Sequence, residues 1–169
     1  MTKKSISTFL RIPVVYQIAS FLTTTKFVVD GNSMKPTLRH GHHILINAMA
    51  YSFATPSRGD IIIFQHPVSQ MHVVKRIVGT PGEHIQITGG QVFVNGQPIT
   101  ETNPSSRTVA NSSSPSSWWC GDDQYYVLGD NRASSLDDSR NFGGIQRRSI
   151  LGKVWIRVWP LTSLGFIQK

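Results

Sequence analysis

Met71-His72-Val73-Val74-Lys75-Arg76-Ile77-Val78 reads as a β-strand, closed by the turn residues Gly79 and Pro81-Gly82. Alternation sets Met71, Val73, Lys75 and Ile77 on one face and His72, Val74, Arg76 and Val78 on the other. Lys75 thus shares its face with apolar neighbours only. Burying an ammonium is costly, so its proton tends to leave, and a neutral lysine is a general base. A lysine that snorkels to water from a strand edge fits the same periodicity.

Outward from this stretch the signals from Phe27 onward are almost all β. Residues 28–29, 43–47, 60–65, 84–88, 91–95, 124–128 and 150–159 are further candidate strands. Gly89-Gly90 is a two-residue hairpin connection, and Asn95-Gly96 marks the next turn. Strands at this spacing with little helix predict an all-β fold, a coiled antiparallel β-sheet or barrel. Residues 27–169 form one domain without internal repeats. Within it, residues 101–117, rich in Ser, Pro, Asn and Thr, read as a mobile surface loop.

Residues 1–26 differ. A basic start (Lys3, Lys4, Arg11) leads into an apolar stretch at 12–22, with Val14, Val15, Ile18, Phe21 and Leu22 at helical spacing. Crossing a hydrocarbon core takes ~20 apolar residues, more than this stretch holds. It reads as a short N-terminal helix, either a weak membrane anchor or interfacial helix, or a plain surface helix.

Upstream of Lys75 lies Gly31-Asn32-Ser33-Met34-Lys35-Pro36-Thr37-Leu38. Gly31 permits close backbone approach, Pro36 fixes φ, and Thr37 hydrogen-bonds locally, so Ser33 is presented in a defined geometry. A hydroxyl is a weak nucleophile and needs a nearby base. Taken alone the stretch also fits an ordinary loop serine. Together, Ser33 and Lys75 suggest a serine–lysine dyad.

With these residues the chain resembles the type I signal peptidases, serine–lysine proteases that remove secretory signal peptides. Ser33-Met34-Lys35-Pro36-Thr37 is similar to the nucleophile box, Ser-Met-x-Pro-Thr. Residues 58–64 resemble the following strand box and residues 75–83 the lysine box. Gly129-Asp130-Asn131-Arg132 through Asp138-Ser139-Arg140 resembles the last box. The resemblance implies a β-rich catalytic domain, Ser33 as nucleophile and Lys75 as base. The Ser33 backbone N–H is the natural first oxyanion donor. In some members a serine two positions before the nucleophile supplies a second donor; here that position is Gly31.

A serine of the last box orients the lysine in this family. Its spacing, Gly-Asp-Asn-Arg-x-x-Ser-x-Asp-Ser-Arg, is one residue shorter than this chain's. Counting from Gly129 selects Ser135, with Ser134 as second choice. Arg76, Asp130, Asp138 and Arg140 are expected as ion pairs bracing the site beside Met34 and Pro36. The implied partners are preproteins with Ala-x-Ala-like cleavage sites and a membrane lipid surface. The implied location is the cytoplasmic membrane, with the catalytic domain on the outer face. A peptidase for conjugative-transfer precursors shares the nucleophile box and is the alternative.

Net charge +8 points to a negative partner surface, nucleic acid or anionic lipid. A basic β-barrel binding nucleic acid through aromatics and cations is the reading from another class; the resemblance favours lipid, and no nucleic acid is expected. In the last strand Lys153, Trp155, Arg157 and Trp159 share a face. That face reads as surface cation–π packing or as an interfacial belt, and the belt suits a peptidase at a bilayer. His40, His42 and His43 have no second ligand cluster, so no metal and no other cofactor is expected. Cys120, the single cysteine, excludes an intrachain disulfide.

Overall fold

A computed structural model of the chain describes residues 24–100 and 116–167. The helix expected within 1–26 and most of the loop expected at 101–117 lie outside the described residues. The chain forms β1 (Thr24–Val28), β2 (His43–Asn47), β3 (Ile61–Gln65), β4 (His72–Gly79), β5 (His84–Thr88) and β6 (Gln91–Val94). It continues through β7 (Gln97–Pro98), β8 (Ser116–Trp119), β9 (Gln124–Leu128) and the one-turn helix α1 (Ser139–Phe142). The last strands are β10 (Ile145–Gln146), β11 (Ile150–Trp159) and β12 (Gly165–Phe166). The four short strands β7, β8, β10 and β12 have too few residues to show a period in sequence.

The larger sheet runs β1-β2-β11-β3-β4-β9-β10, with β12 added to β11. All its pairings are antiparallel. The last long strand therefore returns to the middle of the sheet, between β2 and β3. The sheet curls until Phe27 of β1 meets His72 of β4, their rings 5.5 Å apart. Closure is incomplete, and a groove remains between those two strands.

Residues 61–64 of β3 are buried on both faces, which explains their unbroken apolar run. Ile61 and Ile63 join Met34, Leu38, Ile44 and Val154 in one cluster. Ile62 and Phe64 join Ile77, Tyr125, Val127 and Ile150 in another. The smaller sheet, β7-β6-β5-β8, hinges on the β5–β6 hairpin. Both connecting glycines, Gly89 and Gly90, have positive φ, as a tight antiparallel turn requires. Ile85, Ile87, Val92 and Val94 pack onto Val78, Tyr126 and Leu128 of the larger sheet and join the two in one core.

The alternation read for the last strand breaks at two register shifts, between Val154 and Ile156 and between Arg157 and Trp159. Both cations of that face turn to the protein's own oxygens. Arg157 donates to the carbonyls of Thr37 and Ser163. Lys153 Nζ lies 2.7 Å from Asp60 Oδ1. The belt reading is corrected to that extent: these two cations brace the sheet.

Asp60 is buried and also accepts from the Ser57 N–H and the Tyr51 hydroxyl. Burial pushes its carboxyl up, but the bonds from Lys153, Ser57 and Tyr51 outweigh burial and hold it below the ordinary value. Its contribution to stability is present above the unfolded carboxyl pKa and is lost as pH falls through the depressed folded one. Lys153→Met leaves this buried carboxylate without its cation. We expect a loss of roughly 3 kcal/mol at neutral pH in urea unfolding. That loss should shrink in acid, where Asp60 is protonated in both states.

Candidate active site

Beyond β1 the chain turns at Gly31, whose φ of 86° is one that residues with a Cβ rarely adopt. Met34 and Leu38 are fully buried and fasten the following turn to the core. The Leu38 N–H donates to the Met34 carbonyl at 2.8 Å, and the Lys35 N–H to Asn32 at 3.2 Å. The Lys35–Pro36 peptide is cis. The Thr37 hydroxyl reaches Asp130, far away in the sequence. The Asn131 N–H donates to the Ser33 carbonyl at 2.9 Å, so the loop at 129–131 grips the nucleophile turn directly.

β4 carries Lys75 to the same place. Lys75 pairs with Ile62 in the sheet and stays 3% exposed, its Nζ 3.0 Å from Ser33 Oγ. Burial lowers its pKa below the ordinary lysine value. Asp138 and Asp137 oppose that shift, and Arg140 adds to it. A neutral amine facing a hydroxyl at this distance is within reach of its proton. The pair sits at the bottom of a groove of about 430 Å³ between Phe27–Asp30 and Met71–Val74, with residues 134–137 at one end.

Two ion pairs frame the dyad. Arg76 grips Asp130 with Nε and Nη2 at 2.8 and 2.9 Å, and its Nη1 donates to the Gly59 carbonyl at 2.8 Å. Arg140 holds Asp138 through Nε at 2.9 Å and Nη2 at 3.0 Å, and also donates to the Arg132 carbonyl. Asp138 caps α1 by accepting the Arg140 N–H and also accepts the Gly129 N–H.

Ser135 is buried, and its hydroxyl donates to Asp138 Oδ2 at 2.6 Å; no hydrogen bond joins it to Lys75. It therefore reaches Lys75 only by way of Asp138. Ser134 is exposed and accepts from the Asn131 side chain at 3.0 Å. The Gly31 N–H approaches His40 Nδ1 at 3.4 Å. Among the described residues no three His, Cys, Asp or Glu side chains gather as a metal site would require. Of the three clustered histidines, His42 accepts the Arg39 N–H, His40 faces Asp30, and His43 packs near Trp159.

The family described as signal peptidase, peptidase S26, matches residues 2–159. This chain belongs to that family. The peptidase is 34% identical over 168 residues to signal peptidase I of Leptolyngbya laminosa, covering 92% of this chain and 78% of that one. It is 32% identical over 169 residues to signal peptidase I of Bacillus caldolyticus, covering 94% and 91%. Among solved structures it is similar to a signal peptidase I from Enterococcus faecalis. There the identity is 31% and the TM-score 0.51, covering 59% of this chain and 96% of that one. The peptidase is thus a serine endopeptidase of the signal peptidase I type, with a curled antiparallel fold.

Sequence reasoning missed three parts of the peptidase's site. Arg157 binds the nucleophile turn through Thr37, and nothing in its own strand signals that. Thr37 joins Asp130, where only a local bond was expected. His66 meets Asp137 at the groove's end, Nε2 2.8 Å from Oδ1. The extra residue in the last box was the one available hint of this contact.

Gly129 is where the parts touch. A Cβ there would lie 2.5 Å from Ser135 Cβ and 2.6 Å from the Ser33 carbonyl oxygen. Gly129→Ala should therefore push the nucleophile turn away from Asp138. We expect kcat/KM to fall about a hundredfold, with Tm lowered by only a few degrees. Preprotein cleavage beside thermal melting of both forms checks this.

Proposed function

We propose that this peptidase removes signal peptides from exported preproteins after small-x-small sequences, through an acyl-enzyme on Ser33 with Lys75 as base. The observation that carries the reading is the 3.0 Å approach of Lys75 Nζ to Ser33 Oγ with the lysine buried. Neutral Lys75 takes the Ser33 proton as Oγ attacks the scissile carbonyl. The proton then passes to the leaving amine. Neutral again, Lys75 takes a proton from the water that frees the acyl group, and Ser33 is restored. The Ser33 backbone N–H is the first oxyanion donor. Arg76–Asp130 and Arg140–Asp138 brace the two sides, and Ser135 orients the lysine through Asp138.

The groove suits an extended substrate. Among the described residues, β1 pairs with β2 alone, and β9 pairs with β4 only from Arg76 onward. Residues 72–75 and β1 therefore present two open strand edges across the groove, to which a peptide adds as a strand. The Phe27–His72 approach at its outer end favours small side chains.

The signal peptidase family is membrane-associated. Among the described residues no helix is long and apolar enough to cross a bilayer. The surface that meets lipid, in this reading, includes Trp159, Leu161, Leu164 and Phe166, all at least 50% exposed. Residues 1–26 add their apolar stretch and their cations. With Lys3, Lys4 and Arg11 kept cytoplasmic, Ser33 works on the outer face.

Ser33→Ala and Lys75→Met should each lower turnover of a preprotein at least about a thousandfold. The double variant should lose no more, because the two act as a unit. Wild-type activity should rise through the depressed Lys75 pKa and level off at mildly alkaline pH. Substantial turnover by Lys75→Met would exclude lysine as the base. Flotation with anionic liposomes tests the surface: Leu164→Asp/Phe166→Asp should weaken binding while cleavage of a detergent-dispersed substrate is retained.

A further inference from the structure

The stretch between Ser135 and Arg140 holds one residue more than the family's spacing, so two carboxylates stand side by side, Asp137 and Asp138. Their environments differ. Asp138 is fully buried and bound by Arg140, the Ser135 hydroxyl and the Gly129 N–H. Its charge is matched by a guanidinium. Asp137 points into the groove that Ser33 and Lys75 also line, with its side chain 54% exposed. Among the described residues no lysine or arginine pairs with it; the side chain beside it is His66.

His66 is held in one state by its surroundings. Its Nδ1 faces the Val68 and Ser69 N–H groups at 3.2 and 3.0 Å, so that nitrogen must carry a lone pair. The ring proton then sits on Nε2, 2.8 Å from Asp137 Oδ1 and off the line of an ideal hydrogen bond. The ring is buried, with its edge against Phe142 of α1 at 4.7 Å. The His66 N–H donates to the Met71 carbonyl at 2.8 Å, just before β4 begins. The turn leading to Lys75 thus also places the imidazole beside Asp137.

We infer that Asp137, clamped by His66, is a positioning residue of the cleavage reaction: it supplies the uncompensated negative charge that faces Lys75 as the lysine takes up the Ser33 proton. In that step the Oγ–H bond breaks and an Nζ–H bond forms. The serine electron pair attacks carbon, and the carbonyl pair moves onto oxygen. Lys75 goes from neutral to positive inside a buried site. Around it lie Asp138, whose effect on Lys75 exceeds that of Asp137 and is offset only in part by Arg140, the Arg76–Asp130 pair, and the buried Arg132, which donates to the Gly129 carbonyl. His72 and Asp30 line the outer groove, where Asp30 pairs with His40. Asp137 adds to Asp138 a second countercharge, one that no lysine or arginine holds among the described residues. The opposing effects of Asp137 and of burial on Lys75 run in the matching direction.

The inference rests on the proposed dyad, and its test separates the two. The pH dependence of kcat/KM for a purified preprotein in detergent is measured for wild type, Asp137→Asn, Asp137→Glu, His66→Asn and the Asp137→Asn/His66→Asn pair. Ser33→Ala and Lys75→Met are the controls for the dyad. Removing a nearby negative charge lowers the Lys75 pKa further, so Asp137→Asn should move the acidic limb down by about half a pH unit. A weaker base and an unsupported lysinium should also lower the alkaline plateau about twofold, less than the gain of about threefold that half a pH unit gives on the acidic limb. The two profiles then cross, which simple loss of structure does not produce.

Asp137→Glu should restore most of the wild-type profile. Asn at 66 keeps an acceptor for the two N–H groups and removes the ring contact to Asp137. His66→Asn should therefore shift the limb in the same direction by less, and add nothing to Asp137→Asn. An unmoved or alkaline-shifted limb in Asp137→Asn, with inactive controls, overturns the inference alone. A His66→Asn effect that persists in the absence of the Asp137 charge overturns the clamp. Active controls overturn the dyad itself.

Discussion

In the proposed reaction a primary amine becomes a useful base near neutral pH only if water is kept from it, and the burial of Lys75 meets that constraint. Lys75 is placed mid-strand against Ile62, in the interior of a curled sheet, and burial disfavours its charged form. Desolvation alone would go too far. An amine with too low a pKa is a poor acceptor for a serine proton, and the lysinium formed in reaction would be stranded. Two carboxylates near Lys75, Asp138 and then Asp137, limit the fall, and Arg140 acts the other way. The base strength is thus a balance of burial against charges held at fixed places.

Fixing those places is the task of contacts between distant parts of the chain. Ser33 comes from a turn after the first strand, Lys75 from the fourth, and Asp130 and Asp138 from the segment after the ninth. Each ion pair also holds backbone: Arg76 reaches the Gly59 carbonyl, Arg140 that of Arg132. A bidentate guanidinium fixes orientation as well as distance, which an ammonium would not. Gly129 lets the two loops approach so closely that a methyl group has no room.

Much of this was legible before any coordinates. Period-two alternation located the long strands, and Gly89-Gly90 located the hairpin. Lys75 announced itself as a cation on an apolar face. The legible features share one property: each is carried by a run of neighbouring residues. What was not legible depends on pairs far apart in sequence. Thr37 with Asp130, Arg157 with Thr37 and Lys153 with Asp60 leave no local pattern. The last strand shows the limit clearly. Its alternation put Lys153 and Arg157 on a solvent face, but both cations reach internal acceptors, and the register beyond Val154 is altered by bulges. A bulge is set by cross-strand pairing and is invisible to a count along one strand. Ser135 was selected by counting from Gly129; its bond to Asp138 depends on how the extra residue is accommodated.

The bracing is unevenly distributed, and the unevenness follows from the reaction. On the Lys75 side, β4 is flanked by β3, and its inner half also by β9, with ion pairs beyond. On the other side β1 has a single described strand partner, β2, and it meets β4 at the Phe27–His72 contact. Geometry at the reacting atoms tolerates little displacement, so rigidity is concentrated there. In the proposed reading the opposite wall admits a peptide whose own backbone groups need partners. A sheet closed by pairing β1 to β4 would satisfy those edges internally and leave the substrate none. Incomplete closure keeps both edges available, and it costs little because exposed strand edges are satisfied by water until a peptide replaces it.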